Sequence, residues 1–517
     1  MNRDLTHSSL WQRHLPVDLN ASASGAGKLL QATATHLCWV AAALALVLGG
    51  AAAGLHAPRA GAWYWHLANG ELIHFRGLSG TASYMATSGA ALDLRSWIAD
   101  LGIYYVYLKL GLGGLQLLGA LGGGAVGVVL FLAARSRGKA HPLVLVLVGA
   151  VGILALAPSL TDLSSELLAL LAGLLLLALA ASRDRGRWGA AGLVLLVVVW
   201  TNTQADAAVA VLVIWAWIAI AHWETPSSGR LGQPSWWLLP LTGAALFLSP
   251  RGLGAITELP LSLGMSGEHP LLAAWSSIDF HPWSARLSEL AGIILLGAYW
   301  LAGHRLRRAD AFLGLITVSL ALLWADYLPW FLVVASAQSC WYLSRVWWPQ
   351  EAVEKSPAAA TGGARAIAGW RLLAPIIPIV VAGALLGGTV LGVTRDGGAS
   401  QQTKTQLPVQ AADWLSSHPV AGTWLTTGSF GDYLSARFPD GRHLLCIDDP
   451  LPLAGAGLEE CENLVVLNSG VPAMLRSSKV ELAVLPRAAP EAAFLLAQGW
   501  RIRYLDSTTF VLEPRNF

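Results

Sequence analysis

The sequence predicts an α-helical polytopic membrane protein with about eleven transmembrane helices and a small α/β domain at its C-terminal end. Three observations predict it. Of the 517 residues 55% are hydrophobic and 12% charged, with a mean hydropathy of +0.55, whereas soluble domains run near about 25% charged. Uncharged apolar runs recur, each suited to crossing about 30 Å of hydrocarbon at about 1.5 Å per residue. From about residue 395 onward these runs give way to short alternating segments bounded by turn residues. The 54 Gly and 24 Trp agree, since Gly is common in membrane helices and Trp anchors at the headgroup level. A net charge of +2 gives no basic excess for nucleic acid, and the apolar fraction excludes disorder and collagen.

Taken in order, residues 1–35 read as a cytoplasmic tail, because the first thirty are polar and lack the short apolar core of a cleavable signal. Apolar runs follow at 36–55, 115–134, 142–158, 167–182, 189–201, 207–222, 236–248, 287–303, 311–325, 328–343 and 372–393, within a membrane domain of 36–394. The first outer loop is 56–114. Basic residues orient the chain: with Arg3, Arg13 and Lys28 inside, the clusters at 135–139, 183–187, 230, 305–308 and 355–371 all fall inside too. That alternation requires 97–112, which carries Asp100 and Lys109, to be re-entrant or interfacial, since two charges at the bilayer centre are costly. Residues 349–369 are a flexible loop by composition.

Residues 395–517 then form an extracytoplasmic α/β domain. Helices are expected at 408–418 and 490–498, and strands at 423–427, 443–447, 481–485, 502–505 and 509–512. Cys38 and Cys340 lie in apolar runs and read as core packing. Cys446 and Cys461 share the exported domain, where a disulfide and two separate thiols are both open readings.

Polar side chains that could carry chemistry gather in the outer loops. They comprise Trp63, Trp65, His66, Asn69, Glu71 and His74, then Asp162 and Glu166, then Asn202, Gln204 and Asp206, then Arg251, Glu258, Glu268, His269, Asp279, His281 and Asp326. Acids and imidazoles just outside apolar spans suit a general base or a metal site facing a membrane-borne substrate. Equally, they suit ordinary solvated loops. His66 offers a neutral imidazole near pH 7 but is flanked by aromatics that favour interfacial packing. Asp162 and Glu166, four apart on one helical face, suit either a divalent ion or the acidic start of a helix.

In order along the chain, WYWHLANGELI (63–73), SYMATSG (83–89), RSWIADL (95–101), WTNTQAD (200–206), LSPRG (248–252), AWSSIDF (274–280) and ADYLPWF (325–331) resemble segments of bacterial membrane proteins of GT-C glycosyltransferase architecture. These are relatives of the protein mannosyltransferases and the lipid-A sugar transferases. PVQAADWL (408–415), GSFGDYL (428–434), LLCIDDP (444–450) and GWRIRYLD (499–506) resemble their terminal domain. The resemblance covers most of the chain from Ala62 onward. It implies transfer of a sugar from a polyprenyl-phosphate donor at the outer face of the bacterial cytoplasmic membrane, with a base for the acceptor and a cation for the departing phosphate.

Where the family carries charged motif residues, this chain has Ala62, Gly80, Gln204, Ala274, Asp326 or a neighbour, and Pro450. Two readings follow. In one, the base has moved to His66, Glu71, Asp162 or Asp206, with Trp63, Trp65, Asn69, Asn202, Gln204 and Arg251 binding substrate and a divalent metal as an open possibility. In the other, the fold persists as a non-catalytic scaffold that binds a lipid-linked glycan or a protein partner. A transporter is the weakest reading, because neither a mid-span charge nor an inverted repeat stands out.

Overall fold

The computed structural model describes residues 19–55, 62–79, 94–137, 140–161, 163–184, 187–224, 236–257, 259, 280–281, 283–347, 407–426, 428–438, 443–444, 467 and 470–515. The predicted run at 372–393, Asp162, Gly80, Ala274, Pro450, Cys446 and Cys461 lie outside these residues.

The membrane part is built of α1 (Leu19–Gly54), α3 (Trp97–Arg135), α4 (Pro142–Leu156), α5 (Leu163–Asp184), α6 (Arg187–Thr203), α7 (Ala207–Glu224) and α8 (Leu238–Ala245). A single turn, α9 (Gly254–Thr257), precedes α10 (Trp283–Ala302), α11 (Arg308–Leu323) and α12 (Leu328–Trp347). Between α1 and α3 stands α2 (Ala62–Arg76). Five stretches of the described helices are long and apolar enough to cross a membrane, at 36–54, 97–135, 165–182, 207–224 and 285–305. This is a multi-pass membrane protein.

Most predicted runs recur as helices, with three differences. The first helix begins at Leu19, well before the apolar run, because the Ala, Leu, Gln and Lys of that stretch favour helix as well. The predicted crossing at 236–248 holds only the eight residues of α8, about 12 Å of rise, and the Ser249-Pro250-Arg251-Gly252 turn follows it. Residues 97–112 are continuous with the next run, as one 39-residue element broken at Gly111, whose φ of 62° needs a residue without a Cβ. At about 58 Å this element exceeds the hydrocarbon thickness.

Close contact between α1 and α3 rests on glycine. Gly50 and Gly54 face Gly119, Gly123 and Gly127, and a methyl at Gly50 or Gly123 would overlap the other's carbonyl oxygen. Without a hydrophobic drive between helices in lipid, such small-residue spacing allows the backbone approach that packing needs. Glu166 of α5 lies buried against this seam, beside Gly54, Gly119 and Gly122. Cys38 and Cys340 are buried, free thiols, in keeping with core packing.

The expected helices and strands of the C-terminal part recur in order, with two further helices, at Ser429–Arg437 and Val471–Ser477, between them. They are α13 (Val409–Ser417), β1 (Thr423–Thr426), α14 (Ser429–Arg437), β2 (His443–Leu444), α15 (Val471–Ser477), β3 (Val480–Pro486), α16 (Pro490–Ala497), β4 (Arg501–Leu505) and β5 (Thr509–Glu513). The sheet runs β2-β1-β3-β5-β4. Its first three strands are parallel, and β3, β5 and β4 are antiparallel. The buried central strand β3 pairs Leu425 with Ala483 on one side and Val511 with Val484 on the other.

This domain does not close its core alone. Trp65, Leu72 and Ile73 of α2 are buried in one cluster with Trp424, Leu425, Phe430, Leu434 and Leu485. The Tyr64 and Tyr433 rings meet edge to face at 5.0 Å. Helix α2 and the described C-terminal elements thus share one core.

Candidate functional site

Residues three and four apart share a helix face, and α2 uses two faces. While Trp65, Leu72 and Ile73 enter the tail core, His66 and Asn69 meet the start of α3. Gly70 makes that meeting possible, because a Cβ there would overlap the Asp100 carbonyl oxygen and the Tyr104 Cβ.

The result is a buried carboxylate with three donors. Asp100 is 0% exposed. His66 Nδ1 lies 2.5 Å from its Oδ1, Asn69 Nδ2 donates to its Oδ2 at 2.6 Å, and Ser96 Oγ, one turn back on α3, donates to Oδ1 at 3.0 Å. When Asp100 is ionised it only accepts, which places a His66 proton on Nδ1 and leaves Nε2 for a further partner. His66 is 12% exposed at its side chain, which sets it at the rim of the buried cluster.

A second group lies beyond it. The Trp97 indole donates to Asn202 Oδ1 at 2.8 Å, and Asn202 Nδ2 donates to the carbonyls of Val198 at 2.8 Å and Leu248 at 2.9 Å, tying α3 to α6 and α8. Two residues before Asn202, the Trp200 indole donates to Asp206 Oδ1 at 2.9 Å. Burial raises the Asp206 carboxyl above the usual range, against the opposing pull of the Trp200 bond and of Arg251. Burial and the neighbouring Asp206 also push the Tyr327 hydroxyl well up. The end of α6, the turn after α8 and the turn before α12 therefore converge.

Among the sequence candidates, the structure joins His66 and Asn69 in one cluster, and Asn202, Asp206 and Arg251 in its neighbour. Gln204 is buried in the α6–α7 turn. Glu71 is placed apart, near Tyr104, and His74 bonds the Tyr105 hydroxyl. Trp63 and Trp65 are 4% and 2% exposed, the first packed with Ile103 and Leu115, the second with the tail core. Among the described residues no three His, Cys, Asp or Glu gather as a metal site. Sequence reasoning missed Asp100, Ser96 and Trp97. Their signal was the RSWIADL segment, which holds a Ser four residues before an Asp.

No family model matches the sequence, and neither does any curated protein. Solved structures do match. ArnT from Cupriavidus metallidurans, bound to undecaprenyl phosphate, superposes with a TM-score of 0.53 at 14% identity, over 92% of this chain and 97% of that one. The chain has a GT-C-like fold. The Archaeoglobus fulgidus oligosaccharyltransferase tethered to an acceptor peptide gives 0.53 at 12% identity, over 93% of this chain and 74% of its own. The oligosaccharyltransferase AglB of that organism, with an inhibitory peptide and a dolichol-phosphate, gives 0.52 at 12%, over 87% and 69%. In this GT-C-like chain Ala62 opens α2, and Asp100 of α3 supplies the carboxylate that meets His66 and Asn69.

Proposed function

We propose that this protein is a membrane glycosyltransferase that moves a sugar from a polyprenyl-phosphate-linked donor to an acceptor at the outer face of the bacterial cytoplasmic membrane, as part of the cell envelope. The observation that carries the reading is the His66–Asp100 pair, set where α2 meets the start of α3 within a GT-C-like fold. ArnT and AglB, whose solved structures hold polyprenyl-type phosphates, support the donor class.

In this reading His66 Nε2 takes the proton of the acceptor hydroxyl or amide while Asp100 holds Nδ1–H and steadies the imidazolium that forms. The acceptor atom bonds to the anomeric carbon as the carbon–oxygen bond to phosphate breaks. The polyprenyl phosphate leaves with that electron pair, and Arg251, whose charge reaches Asp206, supplies the positive charge. Asp100, Asn69 and Ser96 act as positioning residues.

The alternative, a non-catalytic scaffold for a lipid-linked glycan or protein partner, is favoured by Ala62 and Gly80 at the positions of the family's acids. One experiment separates the two. Purified protein is given an undecaprenyl-phosphate-linked sugar and an acceptor extract, with His66→Ala, Glu71→Gln and Asp206→Asn compared with the parent. Transfer reduced about 100-fold by His66→Ala but little changed by Glu71→Gln supports the enzyme. Donor binding without turnover in the parent protein sinks it.

A further inference from the structure

The end of the bundle remote from Asp100 holds a polar cluster that the proposed reaction does not use. Asp310, 1% exposed, accepts both terminal nitrogens of Arg137, the Nη2 bond at 2.6 Å, and the Tyr342 hydroxyl at 2.6 Å. Arg137 also lies over the Trp341 ring, 3.9 Å from its centroid. The Tyr342 oxygen accepts the Arg307 backbone N–H at 3.2 Å, and the Arg345 guanidinium sits 5.8 Å from the Tyr342 ring centroid. Three arginines, from the end of α3, the start of α11 and the end of α12, thus surround one carboxylate.

That carboxylate is committed to Arg137 and Tyr342. Arg307 and Arg345 are both half-buried, and neither forms an ion pair with a described residue. Two positive charges in excess at a partly dry site repel one another, and an anion between them removes the cost. Depth identifies the source of the anion. Trp188, Trp223, Trp236 and Trp300, between 54% and 86% exposed, ring this same end, with Arg308 over the Trp223 face. Exposed indoles settle at the headgroup level of a bilayer, so the arginines stand where lipid phosphates are. Basic pockets between helices at that depth hold anionic headgroups.

We propose that Arg307 and Arg345, set over the Arg137–Asp310 pair, seat the phosphate of an anionic lipid headgroup. The site lies at the opposite end of the bundle from His66 and does not depend on the sugar-transfer reading.

The test is thermal unfolding of delipidated protein in mild detergent, titrated with phosphatidylglycerol, phosphatidylcholine or inorganic phosphate. Phosphatidylglycerol should raise the unfolding midpoint with saturation, while phosphatidylcholine leaves it nearly unchanged. Arg307→Gln or Arg345→Gln should each weaken the lipid's apparent affinity about fivefold, and the double change on the order of thirtyfold. Arg345→Lys, which keeps the charge, should recover most of it. Equal stabilisation by phosphatidylcholine, or full phosphatidylglycerol stabilisation of the double variant, overturns the site. An equal shift from inorganic phosphate overturns the lipid as its ligand. Because the half-buried Arg307 and Arg345 lie outside the Arg137–Asp310 bond, the variants should fold, and their midpoints without lipid check this directly.

Discussion

Asp100 and Asp310 are both buried carboxylates on helices of the same bundle, and they are solvated in opposite ways. Around Asp310 the donors are a guanidinium fork and a phenol, which carry their protons throughout the working pH range. Around Asp100 they are an amide, a hydroxyl and an imidazole, and of these only the imidazole has a neutral and a charged form. A guanidinium fixes charge and so fixes structure. An imidazole at the rim lets the charge of the cluster change, which is what proton transfer needs.

The largest expected effect breaks the fixed site. Asp310→Asn leaves Arg137 without its counter-ion inside the helix ends and should cost about 3–5 kcal/mol of stability, read as a loss of folded protein at a given temperature, with specific activity retained in what remains folded. Preserved stability together with lost transfer would reverse the roles assigned to the two carboxylates.

Asp100→Asn should behave the other way round. The near-isosteric amide keeps the packing but presents an N–H where three donors converge, so transfer should fall about 100-fold while the unfolding midpoint changes little. A midpoint drop as large as that of Asp310→Asn would make Asp100 a structural anchor.

Gly70→Ala sharpens the comparison without touching either carboxylate. Its methyl meets the Asp100 carbonyl oxygen and parts α2 from α3, at about 1–3 kcal/mol and with a loss of transfer beyond what the folded fraction explains. Unchanged kinetics would show that the pair tolerates a looser contact than the geometry implies.

The smallest effect concerns Asp206, a third buried carboxylate with weaker compensation. Its folded carboxyl titrates above its unfolded value, so the native state holds the proton more firmly and stability is lost as pH rises through that window. Asp206→Asn removes the titration. Its unfolding midpoint should gain on the parent's as pH climbs from about 4 towards neutrality. Parallel curves for the two proteins would refute the assignment.

Short apolar runs bounded by turn residues made the strands of the tail legible, because β3 and β5 carry consecutive buried Val, Leu and Ala, as strands covered on both faces do. The helices were legible from apolar length alone. Asp100 was not, since its charge counts only as a cost until α2 folds back and brings His66 and Asn69 to it from more than thirty residues away. Nor was the docking of the tail. Trp65, Leu72 and Ile73 read equally well as interfacial anchors, and their partners Trp424 and Phe430 lie some 360 residues further on.

The glycine seam between α1 and α3 also bears on the order of synthesis. Once residue 127 has left the ribosome, Gly50 and Gly54 can meet Gly119 and Gly123, closing the loop that holds His66, Asn69 and Asp100. The apolar surface that covers the other side of α2 is translated last, from residue 407 onward. A chain that stops before then contains every residue of the Asp100 cluster and none of the tail packing on the other face of α2, so that face gains its cover only after residues 411–512 have been made.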